Sequence, residues 1–247
     1  MEMNIAVIPG DGIGPEITTA AIIVLEAIAE KYGHMLNLHY VKACSQSVEK
    51  SGEPLPAEAL ETCLQADAVL LGNTGLEKYK NLPLTKRPEY ALLKLRKELK
   101  VTTNIRPVHV YPELKPLSPL NQKALSKGLD YLFVRDIAGG VLCSDQVKGE
   151  GENGPEAYEY EYYNQKIVEE TAGLAFELAK ARKGKVVSLD KANVLGSSRL
   201  WRKTVTEIGK EHPDVELSHE YIDSAALKLI RMPWYYDVIL TSNLFGD

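Results

Sequence analysis

The chain has 247 residues, 45% of them hydrophobic and 26% charged, a balance that describes a soluble globular protein able to bury a substantial core. Its formal net charge of −5 argues against general binding to nucleic acid or to an anionic membrane surface, and no apolar stretch approaches the length of a bilayer span. Cys44, Cys63 and Cys143 are odd in number and form no CxxC pair, and no basic segment with an apolar run opens the chain; together these predict reduced, core-filling thiols in a cytoplasmic protein.

Residues 4–8 form a short apolar run closed by Pro9-Gly10, the pattern of a buried strand. A helix follows over 15–32, with Pro15 in its first turn and Gly33 at its C-terminal cap. Ile17, Ala21, Val24, Ile28 and Tyr32 recur at helical spacing and are expected to be its apolar stripe. A strand over 36–41, a helix over 56–65 and a strand over 66–72 ending in a glycine turn come next. This alternation predicts an α/β fold with a parallel sheet covered by helices. A helix over 87–99 carries Leu92, Leu95 and Leu99 on one side, and a boundary is expected near Lys100, dividing a first domain of about 1–100 from a second of 101–247.

The second part is richer in strand-like patches, at 101–105 and 131–137. The stretch 141–164 holds Gly149, Gly151, Gly154 and Pro155 with Tyr158, Tyr160, Tyr162 and Tyr163, and reads as a protruding β arm. Beyond it come a helix over 167–182, a strand over 185–189, a helix over 197–211 with serine available to cap it, a strand over 215–222, a helix over 224–231 and a strand over 236–241.

Gly10-Asp11-Gly12-Ile13-Gly14 spaces its glycines at alternate positions, so it is not the G-x-G-x-x-G dinucleotide fingerprint. A glycine turn entering a helix still offers N–H groups and a favourable dipole to an anion, although taken alone the motif is better read as a plain strand–helix turn. Arg96, Arg106 and Arg135 lie on three successive elements. Several guanidiniums around one pocket suit a dicarboxylate, whereas any one alone is better read as an ordinary surface or salt-bridged residue. Asp190-Lys191 ends a strand, and a partly desolvated lysine beside a carboxylate can move protons, while an exposed ion pair is the alternative. Asp223 and Asp247 end strands and could coordinate Mg²⁺ or Mn²⁺ through oxygen. The histidines, His34, His39, His109, His212 and His219, show no metal-ligand spacing and are expected at the surface, and Trp201 and Trp234 are expected to be packing anchors.

The order Pro9-Gly10-Asp11-Gly12-Ile13-Gly14-Pro15-Glu16, then Leu189-Asp190-Lys191-Ala192-Asn193, then Ser242-Asn243-Leu244-Phe245-Gly246-Asp247 resembles the β-decarboxylating dehydrogenases along essentially the whole chain. Lys86-Arg87-Pro88-Glu89, Leu92-Leu93-Lys94-Leu95-Arg96 and Ser197-Ser198-Arg199-Leu200-Trp201-Arg202 are most similar to its 3-isopropylmalate branch. The resemblance implies a two-domain isocitrate/isopropylmalate dehydrogenase-like fold with a parallel and mixed sheet, and NAD-dependent oxidative decarboxylation of 3-isopropylmalate to 2-oxoisocaproate and CO₂ in leucine biosynthesis. By it, Arg96, Arg106 and Arg135 hold the carboxylates of a 2-hydroxy diacid and Leu92 faces its isopropyl branch. Ile13, Gly72, Gly75, Glu89 and Asn193 lie on the cofactor side. Lys191, oriented by Asp190, takes the hydroxyl proton, and Asp223 and Asp247 bind the metal. A homodimer with shared active sites is implied, Lys191 and Asp223 reaching into the partner.

Two departures stand out. The resemblance implies a tyrosine, serving as the acid, two places after the Gly-Gly of a Val-Arg-x-x-x-Gly-Gly segment; here that segment is residues 134–140 and the position holds Leu142. The family also continues past Gly246-Asp247, so the chain is expected to lack the C-terminal part of its cofactor domain. An inactive dimer partner, or a D-malate or tartrate dehydrogenase, are the alternative expectations.

Overall fold

Strand β1 (Glu2–Gly10) is the middle of a three-stranded parallel sheet, flanked by β2 (Met35–Tyr40) and β3 (Ala68–Asn73). Its unbroken apolar run follows from burial on both faces. Ala6 and Ile8 pack with Val41, Leu55, Cys63 and Leu95, while Ile5 and Val7 pack with Ile22. The computed structural model describes residues 1–247, which part into two compact units, Met1–Val101 and Thr102–Asp247.

Helix α1 (Gly14–Tyr32) takes a different phase from the expected one. Gly14, Thr18, Ile22 and Ala29 are buried, whereas Ile17, Val24, Ile28 and Tyr32 are 47%, 57%, 45% and 63% exposed. The cause is steric. A Cβ at Gly14 would collide with the Pro9 carbonyl, and one at Gly72 would press on the Thr18 hydroxyl, so the glycine-bearing face alone can sit against the sheet. Gly33, at φ 66°, caps the helix as its sequence predicts. A short helix, α2 (Ser45–Ser51), was not legible in the polar sequence; α3 (Ala57–Gln65) and α4 (Tyr90–Glu98) complete the unit, the last burying Ala91 and Leu95.

The second unit holds a five-stranded mixed sheet in the order β4 (Thr103–Val110), β5 (Leu129–Asp136), β10 (Val238–Thr241), β8 (Lys185–Asp190) and β9 (Glu216–Tyr221), with only the β4–β5 pair antiparallel. Helices α5 (Gln165–Lys180) and α6 (Gly196–Glu211) cover one face, packing Phe176 and Trp201 on Val134, Val186, Val238 and Leu240. On the other face Ala225 of α7 (Ile222–Arg231) and Tyr236 pack on Val187, Leu189 and Ile239. Between β5 and α5, the strands β6 (Val147–Gly151) and β7 (Gly154–Tyr158) pair with each other as a separate antiparallel hairpin.

Three local expectations change. No serine caps α6; Ser198 instead accepts the main-chain N–H of Lys191 at 3.2 Å, while Asn164 caps α5. His212 and His219 are not surface residues: one stacks on Phe176 with ring centroids 4.9 Å apart, the other meets the Thr206 hydroxyl at 3.0 Å. Cys143 is exposed, unlike Cys44 and Cys63. Trp201 anchors the core and donates to the Ser188 hydroxyl at 3.1 Å. No helix is long and apolar enough to cross a membrane.

Candidate active site

The parallel strands of the second unit end on one edge of the sheet, where open α/β sheets place their ligands. Thr241 of β10 lies opposite both Arg135 of β5 and Leu189 of β8, and Asp190 lies opposite Tyr221 of β9. The residues just beyond these ends are therefore Asn243, Lys191 and Asp223.

Arg135 is only 6% exposed. Its Nη1 bonds the Asp247 carboxylate, and Arg106 Nη2 approaches the same oxygen at 3.5 Å while its Nε donates to Asn104 Oδ1 at 2.8 Å. Arg106, Arg135 and Asp247 thus converge, with one carboxylate between two guanidiniums. Gly246 makes this approach feasible, because a Cβ there would stand 2.7 Å from Arg135 Cγ.

Lys191 bonds Asp223 Oδ1 at 2.9 Å, and that bond holds the Asp223 carboxyl below its usual range. Asp190 behaves differently from the sequence expectation. It is 1% exposed and turned inward, taking Arg202 Nε at 2.7 Å, Arg202 Nη2 at 2.9 Å and the Ala192 N–H at 2.9 Å. Its hydrogen-bonding capacity is spent on the strand–helix joint. Asn193 lies exposed in the turn that follows.

The two expected metal ligands are each paired with a cation, and no group of three or more His, Cys, Asp or Glu side chains is placed to hold a metal. Mg²⁺ and Mn²⁺ favour octahedral oxygen donor sets, so the residues of one chain as arranged here do not fit such an ion.

In the first unit, Ile13 is exposed in the glycine turn and Glu89 lies exposed with its carboxyl against Gly75, whose φ of +103° few other residues tolerate. Leu92 and Arg96 share helix α4, both half-buried. Asp11, which the sequence reading passed over, organises this loop: it is buried and accepts the N–H groups of Ser45 at 2.9 Å and Gly75 at 2.8 Å. The signal was there, since a carboxylate amid glycines is the residue type that ties down free N–H groups. Burial, reinforced by the Asp11 and Glu89 charges, pushes the Cys44 thiol up to about 12 and leaves it inert.

Leu142 is exposed on the turn after Gly139-Gly140. Among the arm tyrosines, Tyr163 is buried and donates to Asp136 Oδ2 at 3.1 Å, and burial drives its hydroxyl pKa well up. Tyr158 and Tyr160 pack edge to face, and the Tyr162 hydroxyl accepts from Asn164 at 3.3 Å.

The isocitrate/isopropylmalate dehydrogenase signature matches residues 4–247. The chain is 48% identical over 246 residues to the 3-isopropylmalate dehydrogenase of Clostridium pasteurianum, covering 100% of this chain and 69% of that protein. It is 47% identical to that of Thermotoga maritima, covering 99% and 69%. Among solved structures, a β-decarboxylating dehydrogenase from Thermococcus kodakarensis superimposes with a TM-score of 0.78 at 31% identity, covering 99% of this chain and 65% of that one. The isocitrate dehydrogenase of Methylococcus capsulatus does so with a TM-score of 0.75 at 27% identity, over 99% and 68%. The chain therefore spans about two thirds of the length of the proteins it matches. A signature that runs through both sheets and the arginine-lined strand ends settles the ancestry: the chain belongs to the isocitrate/isopropylmalate dehydrogenase family of β-decarboxylating dehydrogenases.

Proposed function

We propose that the intact protein is an NAD-dependent dehydrogenase that oxidises and decarboxylates 3-isopropylmalate to 2-oxoisocaproate and CO₂, in the cytoplasm, as a step of leucine biosynthesis. The observation that carries this reading is the pair Arg106 and Arg135 closing on one carboxylate at the sheet edge. The side chain they hold is Asp247, and a diacid carboxylate has the same chemistry.

In this reading Arg106 and Arg135, with Arg96 of the first unit, bind the two carboxylates, and the apolar Leu92 meets the isopropyl branch. Lys191 receives the proton of the substrate hydroxyl. In its neutral form its amine reaches that hydroxyl once Asp223, its present partner, is drawn off. The protonated lysine then stands by the new ketone oxygen, which takes up the electron pair when the β-carboxylate leaves as CO₂. Asp190 acts one step back, anchoring the turn that aims Lys191. NAD⁺ supplies the hydride acceptor when bound, and Ile13, Gly72, Gly75, Glu89 and Asn193 are the residues assigned to its side. The exposed Glu89 carboxyl, held against Gly75, suits that task as an acceptor for hydroxyl or amide donors.

A divalent ion, Mg²⁺ or Mn²⁺, would need Asp223 and Asp247 released from their cations and further donors from outside this chain. That requirement supports a homodimer with shared sites, as do the exposed Leu227 and Ile230 on α7. The relatives' names favour neither the D-malate nor the tartrate reading, nor an inactive dimer partner. NADH formation from 3-isopropylmalate and from D-malate, with NAD⁺ and Mg²⁺ or Mn²⁺, tests the proposal in the complete polypeptide. Faster turnover of D-malate would overturn it.

A further inference from the structure

Asn243 sits two residues beyond the end of β10 and is 3% exposed, beside an arginine from the neighbouring strand. Its main-chain carbonyl accepts from Arg135 Nε at 2.8 Å, and its side-chain Oδ1 accepts from Nη2, also at 2.8 Å. The rest of the residue is held as firmly. Nδ2 donates to the Gly139 carbonyl at 2.8 Å and to Cys143 Sγ at 3.4 Å, and the main-chain N–H donates to the Tyr163 hydroxyl at 2.8 Å. Tyr163 in turn donates to the buried Asp136, which also accepts the N–H groups of Ala138 at 3.1 Å and Gly139 at 2.9 Å. The ring of contacts joins the loop after β5 to the loop after β10 and leaves Asn243 no freedom to turn.

A guanidinium offers a carboxylate two edges for paired hydrogen bonds, one made of Nε and Nη2 and one of Nη1 and Nη2. Asn243 fills the first edge with two oxygens. What remains is Nη1, where Asp247 now sits, and the outward hydrogen of Nη2. We infer that Asn243 is a positioning residue that dictates which edge of Arg135 receives the hydroxy diacid: the ligand carboxylate must dock on the Nη1–Nη2 edge, in a plane fixed before binding. The inference deepens the reading of Arg135 as a diacid-binding residue and rests on it. An arginine held this way loses little rotamer freedom on binding and discriminates by the direction of the carboxylate, so a diacid with the wrong spacing meets a blocked edge.

Two measurements on the 247-residue chain test this. In side-chain NMR with ¹⁵N-arginine, wild-type Arg135 is expected to show hindered rotation and distinct Nη signals at low temperature. Asn243→Ala should average those signals while the Nε–H stays protected by the main-chain carbonyl. Unchanged Nη signals in the variant would overturn the inference. In calorimetric titration with 3-isopropylmalate, Asn243→Ala should weaken binding about tenfold, the scale of one charge-assisted hydrogen bond. It should add nothing further in an Arg135→Ala background, because two residues acting through one guanidinium are not additive. Equal losses in both backgrounds would sink the positioning role. Should Asn243→Ala fail to fold by near-ultraviolet circular dichroism, Asn243→Ser, which keeps a small acceptor, is expected to give a smaller loss of the same kind, and no loss with that variant overturns the proposal. If both the 247-residue chain and the complete polypeptide bind neither 3-isopropylmalate nor D-malate, the functional reading fails, and the NMR comparison alone decides the role of Asn243.

Discussion

Asp190 grips Arg202 with both carboxylate oxygens, at 2.7 and 2.9 Å, and the pair clamps the C-terminal end of β8 to the second turn of α6. The guanidinium also lies over the Tyr221 ring at 5.0 Å, tying in the neighbouring strand β9. Removing one partner of such a pair strands the other. Asp190→Ala is expected to cost about 2–4 kcal/mol, less than a fully buried pair would, because Arg202 keeps about a third of its side chain in water. Urea titration checks this, and a loss below roughly 1 kcal/mol would show the clamp to be incidental.

The sequence read Asp190 as the neighbour that tunes Lys191, and adjacency in the chain was the only ground for it. In a strand, successive side chains leave on opposite faces, so a residue at the strand end and its successor diverge. Arg202 is twelve residues on, and Asp223, the actual partner of Lys191, lies on another element altogether. Strands were legible where burial on both faces leaves a continuous apolar run, as in β1 and β8. The phase of α1 was not, because both of its faces carry isoleucines and the deciding features are two glycines. The convergence of Arg106 and Arg135 followed from strand-end placement, whereas the Asn243 lock required knowing that β10 lies beside β5.

Lys191 is the residue whose loss should be felt in chemistry rather than in binding. Lys191→Met is expected to lower kcat by about 10²–10⁴-fold in the complete polypeptide, the usual worth of a general acid–base group, with a smaller change in the diacid KM. Lys191→Arg keeps the charge, but a guanidinium stays protonated and cannot take up a further proton, so it should not rescue the rate. Steady-state kinetics with 3-isopropylmalate decide it, and rescue by arginine would mean that charge alone is needed.

Leu142 stands, exposed, where the resemblance implies a proton-donating tyrosine, and the buried Tyr163 of the arm is committed to Asp136. Leu142→Tyr, made in the complete polypeptide, is therefore expected to raise the rate of decarboxylation by more than it alters diacid binding. An unchanged rate would show that reprotonation does not depend on this position.

His219 gives the second unit an acid-sensitive element. Burial, and then the positive charge of Arg202, lower its pKa below the ordinary 6.5, with Asp190 opposing more weakly. The stabilisation from keeping it neutral is complete above the ordinary value. It is lost as the pH falls through that value toward the depressed one, since the unfolded chain takes up the proton first. Between pH 7 and pH 5.5 the wild-type chain should lose up to about 1.4 kcal/mol per pH unit from this residue, and His219→Gln should flatten that slope. Denaturant titrations across the range provide the comparison, and parallel slopes would exclude His219 as the cause.

Gly246 makes the last link between packing and ligand binding. An alanine there would place its methyl carbon 2.7 Å from Cγ and 3.0 Å from Cβ of Arg135, and closer still to the Thr241 hydroxyl, all three atoms on well-packed strand ends. The stem of Arg135 cannot yield easily, because its guanidinium is pinned by Asn243 at the far end. Gly246→Ala is therefore expected to cost about 1–3 kcal/mol of stability, the usual range for overpacking. The strain should also push the arginine off its binding plane and weaken 3-isopropylmalate binding beyond what the stability loss explains. Calorimetry on protein verified as folded separates the two effects, and full diacid affinity in the alanine variant would mean that the contact between Gly246 and Arg135 does not govern the guanidinium.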